Sequence, residues 1–208
     1  MHPKNLIAAV VLGVALAAGI VLALVTAGNS AAPRAATVLP SPVSLPEFRL
    51  VDDDGRETGP EVFRGQWNLV FFGFTHCPDI CPLTLEKLAR VRERLARAGA
   101  DPLPQIVLVS VDPERDTPER LSAYVDSFGP GTLGLTGEID EIRRLTEALG
   151  VWFEKSGAGV SGSDPASYGV DHSAVVIVIG PDARYRAVFS APHEIEDFVH
   201  DLPLLPAA

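Results

Sequence analysis

Residues 67–82 constrain the fold of this chain more than any other stretch. Trp67 to Phe74 is a dense apolar run with aromatic side chains, which reads as a buried strand. It passes without a spacer into Thr75-His76-Cys77-Pro78-Asp79-Ile80-Cys81-Pro82. From Pro82 the pattern turns helical: Leu85, Leu88, Val91 and Leu95 share one face, with Glu86, Lys87, Arg90, Arg92 and Arg94 mostly elsewhere. Pro82 suits a first helical turn, where a missing N–H costs nothing. The only two cysteines of the 208 residues therefore stand at a strand-to-helix junction. Two thiols are too few for a disulfide framework but enough for one redox pair or one metal clamp.

The remaining pattern alternates in the same way. Phe48 to Val51 followed by Asp52-Asp53-Asp54-Gly55 reads as an opening hairpin. Gln105 to Val111 is a second buried strand, and Thr117-Pro118 opens a helix with an N-cap and proline at the first position. A short strand over Leu133 to Leu135, a helix over Asp140 to Leu149 and a strand over Val151 to Phe153 follow. Ser156 to Val170 is rich in Gly, Ser and Ala and reads as a mobile loop. Strands over Ala174 to Ile179 and Tyr185 to Phe189 flank the turn Gly180-Pro181-Asp182-Ala183, and Glu194 to Leu202 closes the chain as a helix. This is an α/β plan with a central mixed sheet. A βαβ unit with a dithiol at its strand-to-helix junction points to a thioredoxin-like domain.

Leu6 to Val25 is an uncharged apolar run. About twenty residues of helix rise about 30 Å, the thickness of a bilayer core. Two readings stand: an uncleaved anchor with a cytoplasmic N-terminus, favoured by Lys4 and by the run's length, or a signal peptide cleaved near Val25-Thr26-Ala27. Both place the rest of the chain outside the cytoplasm. The division expected is residues 1–28 as membrane anchor or signal peptide, 29–46 as a flexible, extended tether rich in Ala, Pro and Ser, and 47–208 as the exported domain. Lys4 and Arg34 take two of the 17 basic residues, leaving 15 against 27 acidic ones, a net charge of −12 for that domain. Such a balance suits solubility and argues against a nucleic-acid partner.

At a helix N-terminus a cysteine sees the positive end of the dipole, which favours thiolate; Cys77 and Cys81 are primed on that ground. Three residues separate them, one more than in a redox Cys-x-x-Cys, which opens room for a metal without excluding a disulfide. Asp171-His172-Ser173 directly precedes a strand expected beside the dithiol helix, so His172 is placed to complete a two-sulfur, one-nitrogen site. Taken alone, His172 reads as a structural histidine. Two thiolates with an imidazole suit copper, as Cu(I) or Cu(II), whereas structural zinc ordinarily takes a fourth protein ligand. A plain disulfide of Cys77 and Cys81 stays open. His76 is an alternative ligand or a tuner of Cys77; His193 and His200 read as surface residues. Asp112 and Asp116 read as turn and helix-cap residues, and Asp171 and Asp79 as partners that orient a ligating imidazole. Met1 is the only methionine, so a methionine-based copper site in the exported domain is excluded.

Phe72-Gly73-Phe74-Thr75-His76-Cys77-Pro78-Asp79-Ile80-Cys81-Pro82, then Val109 to Thr117, then Leu135-Thr136-Gly137, then Asp171-His172-Ser173 resemble the Sco/SenC family, in the family's order from about Pro46 onward. The resemblance implies a membrane-tethered, thioredoxin-like copper protein that helps assemble the binuclear copper site of cytochrome c oxidase. Carried across by position, Cys77, Cys81 and His172 are the copper ligands. The oxidase copper-site subunit is the implied partner, with other copper chaperones or thioredoxin-like reductants beside it. A second implied activity is reduction of the oxidase cysteines, with Cys77 and Cys81 as redox thiols. Redox or copper sensing is a further reading, and a thiol peroxidase is disfavoured because no arginine stands beside either cysteine to activate peroxide.

Overall fold

The computed structural model describes residues 11–20, 32–156 and 168–206. They fall into two units, Met1–Ala32 and Pro33–Ala208. In the first, residues 11–20 are helical (α1). Among the described residues no helix is long and apolar enough to cross a membrane. Half of the apolar run over residues 6–25, residues 6–10 and 21–25, lies outside them.

The second unit runs β1 (Thr37–Ser44), β2 (Leu50–Asp52), β3 (Glu57–Thr58), β4 (Asn68–Gly73), α2 (Ile80–Arg97), β5 (Gln105–Ser110), α3 (Pro118–Val125), β6 (Thr132–Thr136), α4 (Ile139–Leu149), β7 (Phe153–Ser156), β8 (Gly169–His172), β9 (Val175–Ile179), β10 (Arg184–Ser190) and α5 (Ile195–Asp201). Eight strands form one mixed sheet in the order β1-β10-β9-β4-β5-β6-β2-β3, and β7 and β8 pair separately. β4, β5 and β6 are parallel, as strands joined by helical crossovers must be, while β9 returns antiparallel to β4. Every residue of β4 is buried, which is why its sequence shows no polar alternation. Helix α2 sends Leu85, Leu88, Val91 and Leu95 into the core.

Two features of this sheet place the site. β4 ends at Gly73, so its carboxyl end delivers residues 74–81. β9 starts at the same end, since Phe71 faces Val176 across the pair, so the residues just before β9 arrive beside the thiols. The carboxyl ends of parallel strands are where α/β sheets ordinarily build sites.

Several expectations are corrected. The stretch 29–46, read as a flexible tether, contains strand β1, antiparallel to β10 at the sheet edge with an irregular register between Val38 and Val43. Pro40 and Pro42 mask it in the sequence, and an edge strand tolerates them because one side of its ladder is unused. Helix α2 starts at Ile80 rather than Pro82, with Asp79 at the N-cap position, so Cys81 lies inside its first turn. Within the expected loop 156–170, residues 157–167 lie outside the described residues, but Gly169 and Val170 already belong to β8. His193 is buried rather than at the surface. Its ring packs 5.9 Å from that of Phe198, and burial holds its pKa below the usual histidine value.

The residues before β1 are pinned as well. The buried carboxylate of Asp201 accepts from the backbone N–H groups of Arg34, Ala35 and Ala36 at 3.0, 2.8 and 2.8 Å. Three successive amides make a concave anion seat. Burial alone raises this carboxyl, but the bonds from His200 and the three amides outweigh it and hold the pKa at about 2, against an ordinary 3.8. A depressed pKa means stability that is complete above the ordinary value and lost as pH falls towards the folded one. Asp201→Asn is therefore expected to lower stability by about 2 kcal/mol at pH 7. The gap from wild type should narrow between pH 4 and 2, which urea unfolding at stepped pH measures.

Candidate metal centre

Cys77 lies in the turn between β4 and α2, held there by its N–H donating to the Phe74 carbonyl at 3.2 Å. One helical turn on, the N–H of Cys81 donates to Cys77 Sγ at 3.4 Å. Cys81 is fully buried and Cys77 half-buried, and both are free thiols. His172 closes β8, and its Nε2 stands 3.5 Å from Cys81 Sγ. The donor atoms of Cys77, Cys81 and His172 all lie within 4.8 Å of one another.

The imidazole is oriented. Its Nδ1 lies 3.3 Å from the Ser173 carbonyl, which can only accept, so Nδ1 carries the proton and Nε2 presents its lone pair to the thiols. The rings of Phe71 and Phe74 meet it edge-on, with centroids at 5.6 and 6.2 Å. Ser173 is fixed in turn: its N–H donates to the Trp152 carbonyl at 2.9 Å, and its hydroxyl accepts from the Trp152 N–H at 3.0 Å. Burial pushes the His172 pKa down, against the Ser173 carbonyl and Asp171, which raise it. It is neutral at pH 7 and competent as a ligand.

For Cys81, burial overrides the helix dipole. Desolvation, then its hydrogen bond with Cys77, pushes the thiol pKa well up, so this cysteine is not a free thiolate at neutral pH. The expectation that both cysteines are primed by the helix end is corrected for Cys81. The reason is depth: the dipole acts on the first turn, but a fully buried charge loses its hydration.

Gly73 makes the room. A Cβ there would stand 2.9 Å from Cys81 Sγ and 3.0 Å from the Phe71 ring. Gly73→Ala is expected to cost about 1–3 kcal/mol through overpacking. It should also expose Cys81 to iodoacetamide in the native protein, which mass spectrometry detects.

Residues 39–205 match the family described as SCO1/SenC. The chain belongs to that family. Among SCO1/SenC proteins, the mitochondrial SCO2 homolog of Bos taurus is 40% identical over 150 residues, a match covering 72% of this chain and 55% of that protein. This chain thus spans little more than half of that relative. Sco1 of Thermus thermophilus, solved in solution in its apo form, is 35% identical and superposes with a TM-score of 0.69 over 80% of this chain and 94% of that one. ScoI of Arabidopsis thaliana, solved with copper bound, is 34% identical, with a TM-score of 0.67 over 74% and 92%. The fold expected, thioredoxin-like α/β with a central mixed sheet, is the one these SCO1/SenC structures share.

The site residues read from the sequence separate into two sets. Cys77, Cys81 and His172 are brought together. His76 is not among them: its Nε2 accepts from Arg120 at 3.0 Å and its Nδ1 faces Thr75 Oγ1 at 3.2 Å. Asp171 and Asp79 are exposed, and the outer partner of His172 is the Ser173 carbonyl instead. Asp116 is no helix cap. Thr117 caps α3, accepting from the Arg120 N–H at 3.4 Å, while the buried Asp116 carboxylate accepts from Thr75 N–H (2.9 Å), Thr75 Oγ1 (2.6 Å) and Ser110 Oγ (2.7 Å). It thereby ties down the turn that carries Cys77. Sequence reasoning missed Thr75, Ser110, Arg115 and Tyr168 here. The one available signal was two carboxylates, Asp112 and Asp116, after a strand whose interior, Ile106 to Val109, is wholly apolar, where a cap needs only one.

Proposed function

We propose that this SCO1/SenC protein is a copper chaperone that holds the ion between Cys77, Cys81 and His172 and hands it to the copper-site subunit of cytochrome c oxidase during assembly. The observation that carries the reading is the convergence of two sulfurs and an oriented imidazole nitrogen within 4.8 Å. Thiolates select Cu(I), and the imidazole accommodates Cu(II) as well. Among the described residues the group has three members, short of the four protein ligands usual for structural zinc. The copper-bound Arabidopsis relative supports the choice. Copper is cargo here. Cys81 keeps its proton until metal replaces it, so uptake releases that proton and retention falls at low pH. Cys77, the more exposed sulfur, is the ligand an acceptor exchanges first. Residues 1–28 serve in this reading as anchor or leader and place residues 47–208 outside the cytoplasm.

A second reading rests on the asymmetry of the two free thiols, with Cys77 the more exposed sulfur and Cys81 buried behind it, its N–H donating to Cys77 Sγ at 3.4 Å. As a thiol-disulfide reductase, Cys77 would attack a disulfide of the oxidase subunit, giving a mixed disulfide and one partner thiolate. Cys81 would then displace the second partner thiol, leaving Cys77–Cys81 oxidised by two electrons.

Copper titration of the purified protein beside His172→Ala tests the first reading. One copper per chain is expected, held at least about 10-fold more weakly by the variant, since even an outer partner of a metal ligand is worth that much. Unchanged affinity in His172→Ala would remove the three-ligand site. In cells lacking the protein, recovery of oxidase activity on added copper favours delivery, and recovery on a thiol reductant favours reduction.

A further inference from the structure

The imidazole of the centre does not sit on the sheet that carries the thiols. His172 ends a two-stranded ribbon, β7 with β8, that lies outside the eight-stranded sheet. Its side chain must nevertheless meet Cys81 at 3.5 Å, so something has to hold the ribbon in place.

One short segment does so, the turn 112–116 that follows β5. Arg115 Nη1 donates to the carbonyl of Tyr168, the residue just before β8, at 3.1 Å, and its guanidinium lies 3.8 Å over the Tyr168 ring. Tyr168 Oη donates back to the buried carboxylate of Asp112 at 2.5 Å, and that carboxylate is also paired with Arg115 Nε. Lys155 of β7 bonds Glu114 at 2.7 Å and stands 4.8 Å over the same Tyr168 ring. Both strands of the ribbon are thus fastened to one turn. The guanidinium also faces the Phe74 ring at 5.7 Å, and Phe74 meets His172 edge-on. The next residue, Asp116, fastens the thiol turn through Thr75. The segment therefore grips each half of the centre with a different side chain.

We propose that Arg115, with Asp112 and Tyr168, is a positioning residue for His172: it seats the ribbon so that Nε2 faces the thiols, and it governs whether a bound metal has two sulfurs alone or two sulfurs and a nitrogen. A planar, always charged, multiply donating side chain fits this work, because it stacks on an aromatic ring while bonding a carbonyl and a carboxylate. The inference rests on the copper reading above but concerns a separable property, the imidazole without the thiols.

The test uses the full chain with Cu(II) as probe and compares wild type with Arg115→Ala, Arg115→Lys and Tyr168→Phe. In Arg115→Ala the thiolate-to-copper absorption persists at one equivalent. The nitrogen hyperfine coupling of His172 in the paramagnetic resonance spectrum is lost, and affinity falls about 10–100-fold, the range for partners that orient a metal ligand. Arg115→Lys keeps the charge without the planar fork and recovers only part of the coupling. In metal-free protein, amide exchange at residues 169–172 accelerates in Arg115→Ala while that of β4 and β5 does not. Unchanged coupling and unchanged exchange in a folded Arg115→Ala overturn the proposal. If that variant does not fold, Tyr168→Phe, which deletes one hydroxyl, is judged by the same two readouts. A wild type that shows neither thiolate absorption nor nitrogen coupling instead defeats the copper reading, and the exchange result then decides alone whether Arg115 seats the ribbon.

Discussion

Serine at Cys77 or Cys81 strips the protein of copper while leaving it folded. A serine hydroxyl keeps its proton at neutral pH and is a hard donor, so either change removes a soft ligand from a centre that has two. The expected loss of affinity exceeds about 100-fold, the upper end for removing a partner that merely orients a ligand. Stability separates the two variants. Cys77 is half-buried at the mouth of the centre, and its replacement should fall within about 0.5 kcal/mol of wild type. Cys81 is fully buried against Gly73, and a hydroxyl there costs about 1–3 kcal/mol unless it finds an acceptor. His172 Nε2, 3.5 Å from the sulfur, is that acceptor, so the lower half of the range applies. Metal analysis after gel filtration and urea midpoints read both quantities; copper retained by either variant refutes the site. The same pair sorts the two functional readings. Cys81→Ser keeps an attacking thiol and traps a mixed disulfide with a disulfide substrate, and Cys77→Ser traps none.

The legible part of this protein was what burial writes into composition. β9 and the interiors of β4 and β5, Leu69 to Phe72 and Ile106 to Val109, are apolar because both their faces are covered. Their order, with a dithiol after one and a histidine before another, puts Cys77, Cys81 and His172 at one sheet end. What was hidden depends on direction rather than composition. Asp116 looks like a cap because it precedes Thr117-Pro118, yet a single cap residue suffices and Thr117 supplies it, freeing Asp116 to turn inward. β1 is masked by its prolines, and β8 by a short polar sequence paired with the equally short β7. Cys81 shows the same limit in electrostatics. The helix end argues for thiolate, but depth decides against it, and depth is not visible at a motif.

Asp116→Ala is the structural change expected to disturb the centre most without touching a metal ligand. The carboxylate is wholly buried and accepts three hydrogen bonds: Oδ2 from Thr75 N–H and Ser110 Oγ, Oδ1 from Thr75 Oγ1. Bonds to a charged group contribute about 1.5–3 kcal/mol each. Part of that is offset because the buried charge and its desolvation are removed with the side chain. A net loss of about 3–4 kcal/mol follows, at the high end for one substitution. The loss is local in origin. Thr75 N–H loses its acceptor, and Thr75 opens the turn in which Cys77 bonds the Phe74 carbonyl, so the sulfur spacing loosens together with the fold. Asp116→Asn separates charge from hydrogen bonding. With the amide oxygen at the Oδ2 position, Thr75 N–H and Ser110 keep their acceptor, and the amide nitrogen at the Oδ1 position donates to Thr75 Oγ1, which reverses its role. Asparagine should therefore cost only about 1 kcal/mol and keep one copper per chain, where alanine loses both stability and metal. Equal destabilisation by the two variants in urea unfolding would mean that the charge itself, rather than the hydrogen bonds to Thr75 and Ser110, holds the Cys77 turn.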